Sequence, residues 1–140
     1  MKILIAVDGS PSSTKAVRFV VNLARELATP PEVTLFHANP PLLNSVVKKL
    51  GPDATKRYYA DNFAFATRSA RSALKRARVA FDEEQKIAEP AEAIMRYAKK
   101  ERVDLIVMGS HGRSVLRGLL LGSVTSKVIA HCEIPVAIAR

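Results

Sequence analysis

Five short segments with strand character alternate with longer helical patterns along the whole chain. The strands are predicted at residues 3–7, 33–38, 81–88, 103–108 and 134–140. All but the polar segment 81–88 are apolar almost throughout, which is typical of strands buried on both faces. This alternation predicts an α/β fold with one open parallel sheet covered by helices on both faces, and with segment 81–88 at an edge. Ligands of such sheets bind beyond the carboxyl ends of the strands, where the winding direction reverses.

Capping and breaking residues mark the ends of the predicted helices. Ser10 suits an N-cap with Pro11 at the first helical position, and Pro30 ends that helix. The Gly51-Pro52 pair interrupts the stretch 42–53, which is predicted to be a mobile connection with at most a short helix. The later helices are predicted over about residues 54–80, 90–100 and 123–131.

Composition and charge narrow the class of protein. A chain of 140 residues with 48% hydrophobic and 25% charged residues predicts one folded domain, residues 1–140. The single cysteine, Cys132, excludes an internal disulfide and fits a reducing compartment. The first apolar run ends at Asp8, too early for a signal peptide or a membrane span, so we expect a soluble cytoplasmic protein without membrane contact.

The stretch from Val107 to Thr125 holds four of the six glycines in the chain. It connects a predicted buried strand to the first turn of a predicted helix. Glycine lets backbone N–H groups approach a ligand closely, and a helix start offers unpaired donors with a positive partial charge. The stretch therefore predicts an anion site, with a simple chain-reversing turn as the alternative.

Two common phosphate motifs do not fit this stretch. No Gly-Lys-Ser/Thr follows at Walker A spacing, and Gly-x-Gly-x-x-Gly is absent. What remains is Gly109-x2-Gly112-x9-Gly122-Ser123, with hydroxyls at Ser110, Ser123 and Thr125 and candidate cationic groups at His111 and Arg113. No His, Cys, Asp and Glu spacing indicates a metal site, and His37 and His131 are expected to be packing or surface residues.

With that pattern the chain resembles the universal stress proteins, specifically their ATP-binding branch. The resemblance rests on DLIVMGSHGR and on a Gly-Ser pair that is separated from Gly112 by nine residues, and it extends over ILIAVDGS, EVTLFHA, PAEAI and IPVAIAR. It implies a five-stranded sheet in the order 3-2-1-4-5, like that of the adenine nucleotide alpha hydrolases. It also implies ATP as the ligand, a role as a nucleotide-dependent regulator or sensor in stress response, and a homodimer formed through the last strand.

The resemblance also assigns the ligand contacts. Residues expected around the base and the sugar are Ala6, Val7, Asp8, Met108 and Gly109. Residues expected around the phosphates are Ser110, His111, Gly112, Arg113, Gly122, Ser123, Val124 and Thr125. Asp8 alone would suit a turn or cap, but its position also suits ribose hydroxyls or an Mg²⁺ ion beside the phosphates.

Two other function classes remain open on the sequence. Slow ATP hydrolysis is one, because Asp8 and His111 could assist a water molecule, although no general base is evident and an enzyme is not the favoured reading. Nucleic-acid binding is the other, through a basic stripe formed by Arg68, Arg71, Lys75 and Arg78, which we expect to be a solvated helix face. One departure from the family pattern is Ala88 before Glu89-Pro90, where relatives often have glycine, so the local turn is expected to differ.

Overall fold

The computed structural model describes residues 1–112 and 121–140, in which strands and helices alternate as predicted. In chain order the elements are β1 (Lys2–Ala6), α1 (Pro11–Glu26), β2 (Glu32–Asn39), α2 (Asn44–Ala77), β3 (Phe81–Ile87), α3 (Pro90–Glu101), β4 (Leu105–Gly109), α4 (Ser123–His131) and β5 (Val136–Ala139). None of the described helices combines the length and the apolar character needed to span a bilayer.

The strands form one parallel sheet in the order β3-β2-β1-β4-β5. This confirms the predicted order and places β3 and β5 at the two edges. The chain winds outward from β1 to β3, then crosses back to β4 on the other side of β1, so the winding reverses between β1 and β4. Ala6 pairs in register with Phe36 on one side and Met108 on the other, which brings three strand ends together.

The apolar strands are buried by helices on both faces of the sheet. On one face Ile3, Ile5 and Leu35 pack with buried residues of α1 and α2, including Val17 and Leu74. On the other face Leu4, Phe36 and Ile106 pack with residues of α3 and α4. Burial of a large aliphatic or aromatic side chain contributes roughly 1.5–3 kcal/mol, so the central strands rigidly support whatever is built on their ends.

Helix α2 differs from the sequence prediction at both of its ends. The stretch 42–53 already becomes helical at Asn44, and Gly51, with φ 78° and ψ 170°, forms a kink before the helix continues through Pro52. Glycine adopts this positive φ at little cost, and proline is tolerated in a first helical turn. At the other end α2 stops at Ala77 rather than Ala80, because Arg78 takes a left-handed conformation that ends the helix.

The basic stripe on α2 is not wholly a solvated face. Arg68, Lys75 and Arg78 are exposed, as expected. Arg71 is instead partly buried: it forms a two-pronged ion pair with Glu83 of β3, and its guanidinium carbon lies 5.4 Å from the centre of the Phe63 ring. Glu83 raises the pKa of Arg71 through this hydrogen bond. Arg71 therefore fixes α2 on the sheet edge and leaves the stripe with fewer available cations.

The turn before α3 accommodates Ala88 without a left-handed backbone. Within the described chain, the non-glycine residues with positive φ are Arg78 and Arg102, so Ala88 is not one of them. Its N–H donates to the carbonyl of Asn39 at 2.9 Å, which continues the pairing between β2 and β3 by one residue. The turn is thus held by this hydrogen bond and, without a positive φ at Ala88, does not need glycine there.

Candidate functional site

A cavity of about 410 Å³ opens beyond the carboxyl ends of β1, β2 and β4, where the winding of the sheet reverses. The start of α4 and the beginnings of α1 and α3 contribute to its walls. Pockets for small molecules usually measure about 300–1,000 Å³ and occur at such switch points. Position and size both mark this cavity as the candidate site.

Most of the residues predicted from the sequence line this cavity. They are Ala6, Val7, Asp8, Met108, Gly109, His111, Gly112, Gly122, Ser123, Val124 and Thr125. Ser110 does not line it, and Arg113 lies outside the described residues. The fold therefore brings together two segments that are about one hundred residues apart in the chain, the turn after β1 and the loop after β4.

Direct contacts join these two segments. Ser10 caps α1 by accepting a hydrogen bond from the Ser13 N–H at 3.1 Å, as predicted, and its hydroxyl donates to the carbonyl of His111 at 3.3 Å. Asp8 accepts a hydrogen bond from the Ser10 N–H at 2.9 Å. A Cβ atom at Gly112 would lie 2.9 Å from a carboxylate oxygen of Asp8. Glycine at position 112 therefore lets the loop backbone approach the Asp8 turn.

The start of α4 lines the cavity with N–H groups that have no partner within the helix. Gly122 is the N-cap, and the first helical hydrogen bond runs from the Ser126 N–H to the Gly122 carbonyl at 2.9 Å. The N–H groups of Ser123, Val124 and Thr125 consequently have no acceptor within the helix. Among the described residues no side chain caps them, and their residues line the cavity, an arrangement that suits an anion.

Two residues hold this helix start in place, Thr125 through its side chain and Ser110 through its backbone. The Thr125 hydroxyl, which is buried, donates to the carbonyl of Gly109 at 3.0 Å and so ties α4 to the end of β4. Ser110 is buried next to it: its N–H donates to the Ala139 carbonyl at 3.0 Å, and its carbonyl accepts from the Gly122 N–H at 2.8 Å. Ser110 thus connects β5, β4 and α4 beneath the site.

An ion pair links α3 to α4 at the rim of the site. The Glu89 carboxylate caps α3 by accepting from the Glu92 N–H at 3.0 Å, and Lys127 of α4 donates to it at 3.3 Å. The Glu92 N–H, assisted by Lys127, lowers the pKa of Glu89. Because Pro90 and Ile94 of α3 line the cavity, this contact keeps both walls together.

The sequence interpretation missed the part of the cavity that β2 and α2 supply. The additional lining residues include Phe36, His37, Ala38, Asn39, Pro40, Tyr58 and Asn62. His37, expected to be a packing or surface residue, is 5% exposed, places Nδ1 2.7 Å from the carbonyl oxygen of Val7 and also lines the cavity. The sequence offered one indication of this. In a parallel sheet the carboxyl end of β2 lies beside that of β1, so residues that follow β2 can reach the same cavity.

The profile of the universal stress protein family matches residues 1–140, the full length of the chain. The chain belongs to the universal stress protein family. The universal stress protein YxiE of Bacillus subtilis is 30% identical over 147 residues, which cover 99% of this chain and 98% of that protein.

Solved structures of universal stress proteins share the fold. The structure of MJ0577 from Methanocaldococcus jannaschii superposes with a TM-score of 0.77 at 28% identity, covering 99% of this chain and 94% of that one. A universal stress protein in complex with cAMP superposes with a TM-score of 0.71 at 25% identity, covering 100% and 97% of the two chains. The cAMP complex indicates that an adenine nucleotide is a ligand of at least one relative.

Proposed function

We propose that this universal stress protein binds ATP in the cavity at the carboxyl ends of β1, β2 and β4 and acts as a nucleotide-dependent regulator or sensor. The observation that carries the proposal is that two features line the same cavity. One is the start of α4, whose first N–H groups have no acceptor within the helix, and the other is the Asp8 turn. The first suits phosphates, and the second suits ribose hydroxyls.

The phosphates would lie against the N–H groups of Ser123, Val124 and Thr125, where the positive end of the helix dipole adds attraction. The backbone of Gly112 lies close to the carboxylate of Asp8, so both groups could contact the same ligand. The Asp8 carboxylate would accept from the ribose or share an Mg²⁺ ion with the phosphates, since hard cations prefer carboxylate oxygens. The base would lie over Met108 and the end of β2. The complex with cAMP of a 25% identical relative supports this choice of ligand class.

Two measurements on the purified protein test the proposal. Heat denaturation followed by chromatography of the supernatant is expected to release an adenine nucleotide. Calorimetry on protein freed of nucleotide is expected to give saturable binding of one ATP per chain, with and without Mg²⁺. If no nucleotide is released and ATP gives no saturable heat, the proposed function is wrong. Phosphate release measured on the same sample separates binding from slow hydrolysis.

We also propose a homodimer formed by antiparallel pairing of β5 with the β5 strand of a second copy. β5 is an edge strand, and its residues, Val136 to Ala139, are only partly buried. An apolar edge of this kind is a template for pairing with another chain.

The backbone pattern of β5 provides a specific test of the dimer. The carbonyls of Pro135 and Ala139 accept from β4, so by alternation the backbone groups of Val136 and Ile138 point outward. Ile138→Pro would remove an outward donor and leave the hydrogen bonds to β4 in place. Light scattering is expected to give twice the chain mass for the parent protein and the chain mass for the variant. A monomeric parent at micromolar concentration would contradict this assembly.

A further inference from the structure

Two polar side chains at the end of β2 lie against the cavity without the partners that buried polar groups normally have. His37 and Asn39 are 5% and 6% exposed, and both line the cavity. They are two residues apart on one strand, so their side chains leave the same face of the sheet. The Nε2 atom of His37 and the Nδ2 atom of Asn39 are buried and have no hydrogen-bond partner among the described residues.

The hydrogen bond at the other nitrogen fixes what His37 can offer. Its Nδ1 atom lies 2.7 Å from the Val7 carbonyl, which can only accept, so Nδ1 carries the proton. In the neutral ring Nε2 is therefore an acceptor. Asn39 adds a carboxamide, which carries two N–H donors next to a carbonyl acceptor. The end of β2 thus holds two polar atoms without a partner, both buried and both on residues that line the cavity.

The Asn39 side chain is not needed to hold the strand in place. Its backbone carbonyl already accepts from the Ala88 N–H, and β2 pairs with β3 as far as Asn39 and Ile87. A buried donor without a partner lowers the stability of the fold. Leucine has nearly the same shape as asparagine and would avoid that cost. The unpaired amide is therefore better explained by a ligand than by packing.

We propose that Asn39 is a specificity-determining residue that reads the base edge of the bound nucleotide, an inference that rests on the proposed function. A carboxamide matches the 6-amino donor of adenine together with the adjacent ring nitrogen, which is an acceptor. The last side-chain torsion of asparagine has a broad energy profile, so the amide can turn its N–H toward the cavity without moving β2. The ligand class is accordingly a 6-aminopurine nucleotide.

The test compares ATP with purine riboside 5′-triphosphate, which has hydrogen in place of the 6-amino group. By calorimetry the parent protein is expected to bind ATP at least about 10-fold more tightly than the analogue, because a site built to bond a polar group rejects a ligand that lacks it. In Asn39→Leu the ratio of the two dissociation constants, analogue over ATP, is expected to fall to about 1–3, mainly because ATP binds more weakly. Without nucleotide the variant should unfold at an equal or higher urea concentration, because an unpaired buried donor has been removed.

Asn62→Leu is the matched control, since Asn62 lines the same cavity from α2. It is expected to change the two affinities by a similar factor and to leave their ratio intact. Asn39→Ser provides a second variant should the leucine variant fail to fold, and the same fall in the ratio is expected. A ratio that survives both substitutions, or a parent protein that binds both nucleotides equally, overturns the inference and leaves ATP binding intact. A parent that binds neither nucleotide overturns the proposed function as well.

Discussion

Replacing Gly122 with aspartate is expected to weaken ATP binding at least about 100-fold, or about 2.7 kcal/mol, without destabilising the fold. Gly122 is the N-cap of α4, with φ −72° and ψ 161°. Aspartate is among the preferred residues at an N-cap, where its carboxylate accepts from the N–H groups of the first turn. In Gly122→Asp that carboxylate would occupy the donors proposed for the phosphates. It would also place a negative charge about 4–5 Å from them, which costs about 3–4 kcal/mol at an effective dielectric constant near 20.

Gly122→Asn is the control that separates the effect of the negative charge from the effect of the added side chain. Asparagine is nearly the same size, also caps helices, and is neutral, so we expect it to weaken binding only about 10-fold. A Cβ atom at position 122 would lie 3.3 Å from the Cα of His111, so either side chain requires a shift of a few tenths of an ångström. Calorimetry with ATP gives the affinities, and urea unfolding reports the fold. Equal binding by the parent and by folded Gly122→Asp would place the phosphates elsewhere.

Gly109→Ala is expected to lower the free energy of unfolding by about 3 kcal/mol, because the end of β4 touches the start of α1. A Cβ atom at Gly109 would lie 2.5 Å from the carbonyl carbon of Ser12 and 2.6 Å from its Cβ. Backbone atoms cannot yield as the end of a flexible side chain can, so α1 must move away from β4. Overpacking of this kind typically costs 1–3 kcal/mol, and here it also strains the hydrogen bond from Thr125 to the Gly109 carbonyl. Urea unfolding followed by circular dichroism measures the effect.

Gly122→Ala makes the same chemical change at the other end of the loop and serves as the control. Its new Cβ atom would meet no heavy atom of the described residues closer than 3.3 Å, so a loss below about 1 kcal/mol is expected. If both alanine variants unfold at the same urea concentration, the approach of α1 to β4 is looser than described and Gly109 is not required by packing.

The strands of the sheet could be predicted because their sequences differ clearly from those of the helices. Four of them are apolar over nearly their whole length, and Ser10 with Pro11 marks the start of α1 clearly. The order of the strands came from the resemblance to the family, since periodicity alone does not choose between topologies. The helical stretch before Gly51 was harder to predict, because Leu43, Val46 and Leu50 remain exposed and form no buried stripe.

The part of the candidate site that belongs to one continuous motif could be predicted from the sequence. The part that depends on contacts between distant elements could not. Gly112 and the start of α4 belong to one motif, so their joint role was visible. The exclusion of Ser110 from the cavity depends on its hydrogen bonds to Ala139 and Gly122, which are contacts between distant elements. Asn39 gave no signal either, since a polar residue before Pro40 and Pro41 suits an ordinary turn.

Both backbone groups of Ser110 form hydrogen bonds, and this links the cavity to a distant part of the sheet. Its N–H is bonded to β5 and its carbonyl to the N-cap of α4. A residue held from two directions cannot follow one neighbour without pulling on the other, and close-packed interiors transmit such displacements. We therefore expect a displacement of the α4 N-terminus, which lines the cavity, to be transmitted through Ser110 to Ala139 on the outermost strand of the sheet.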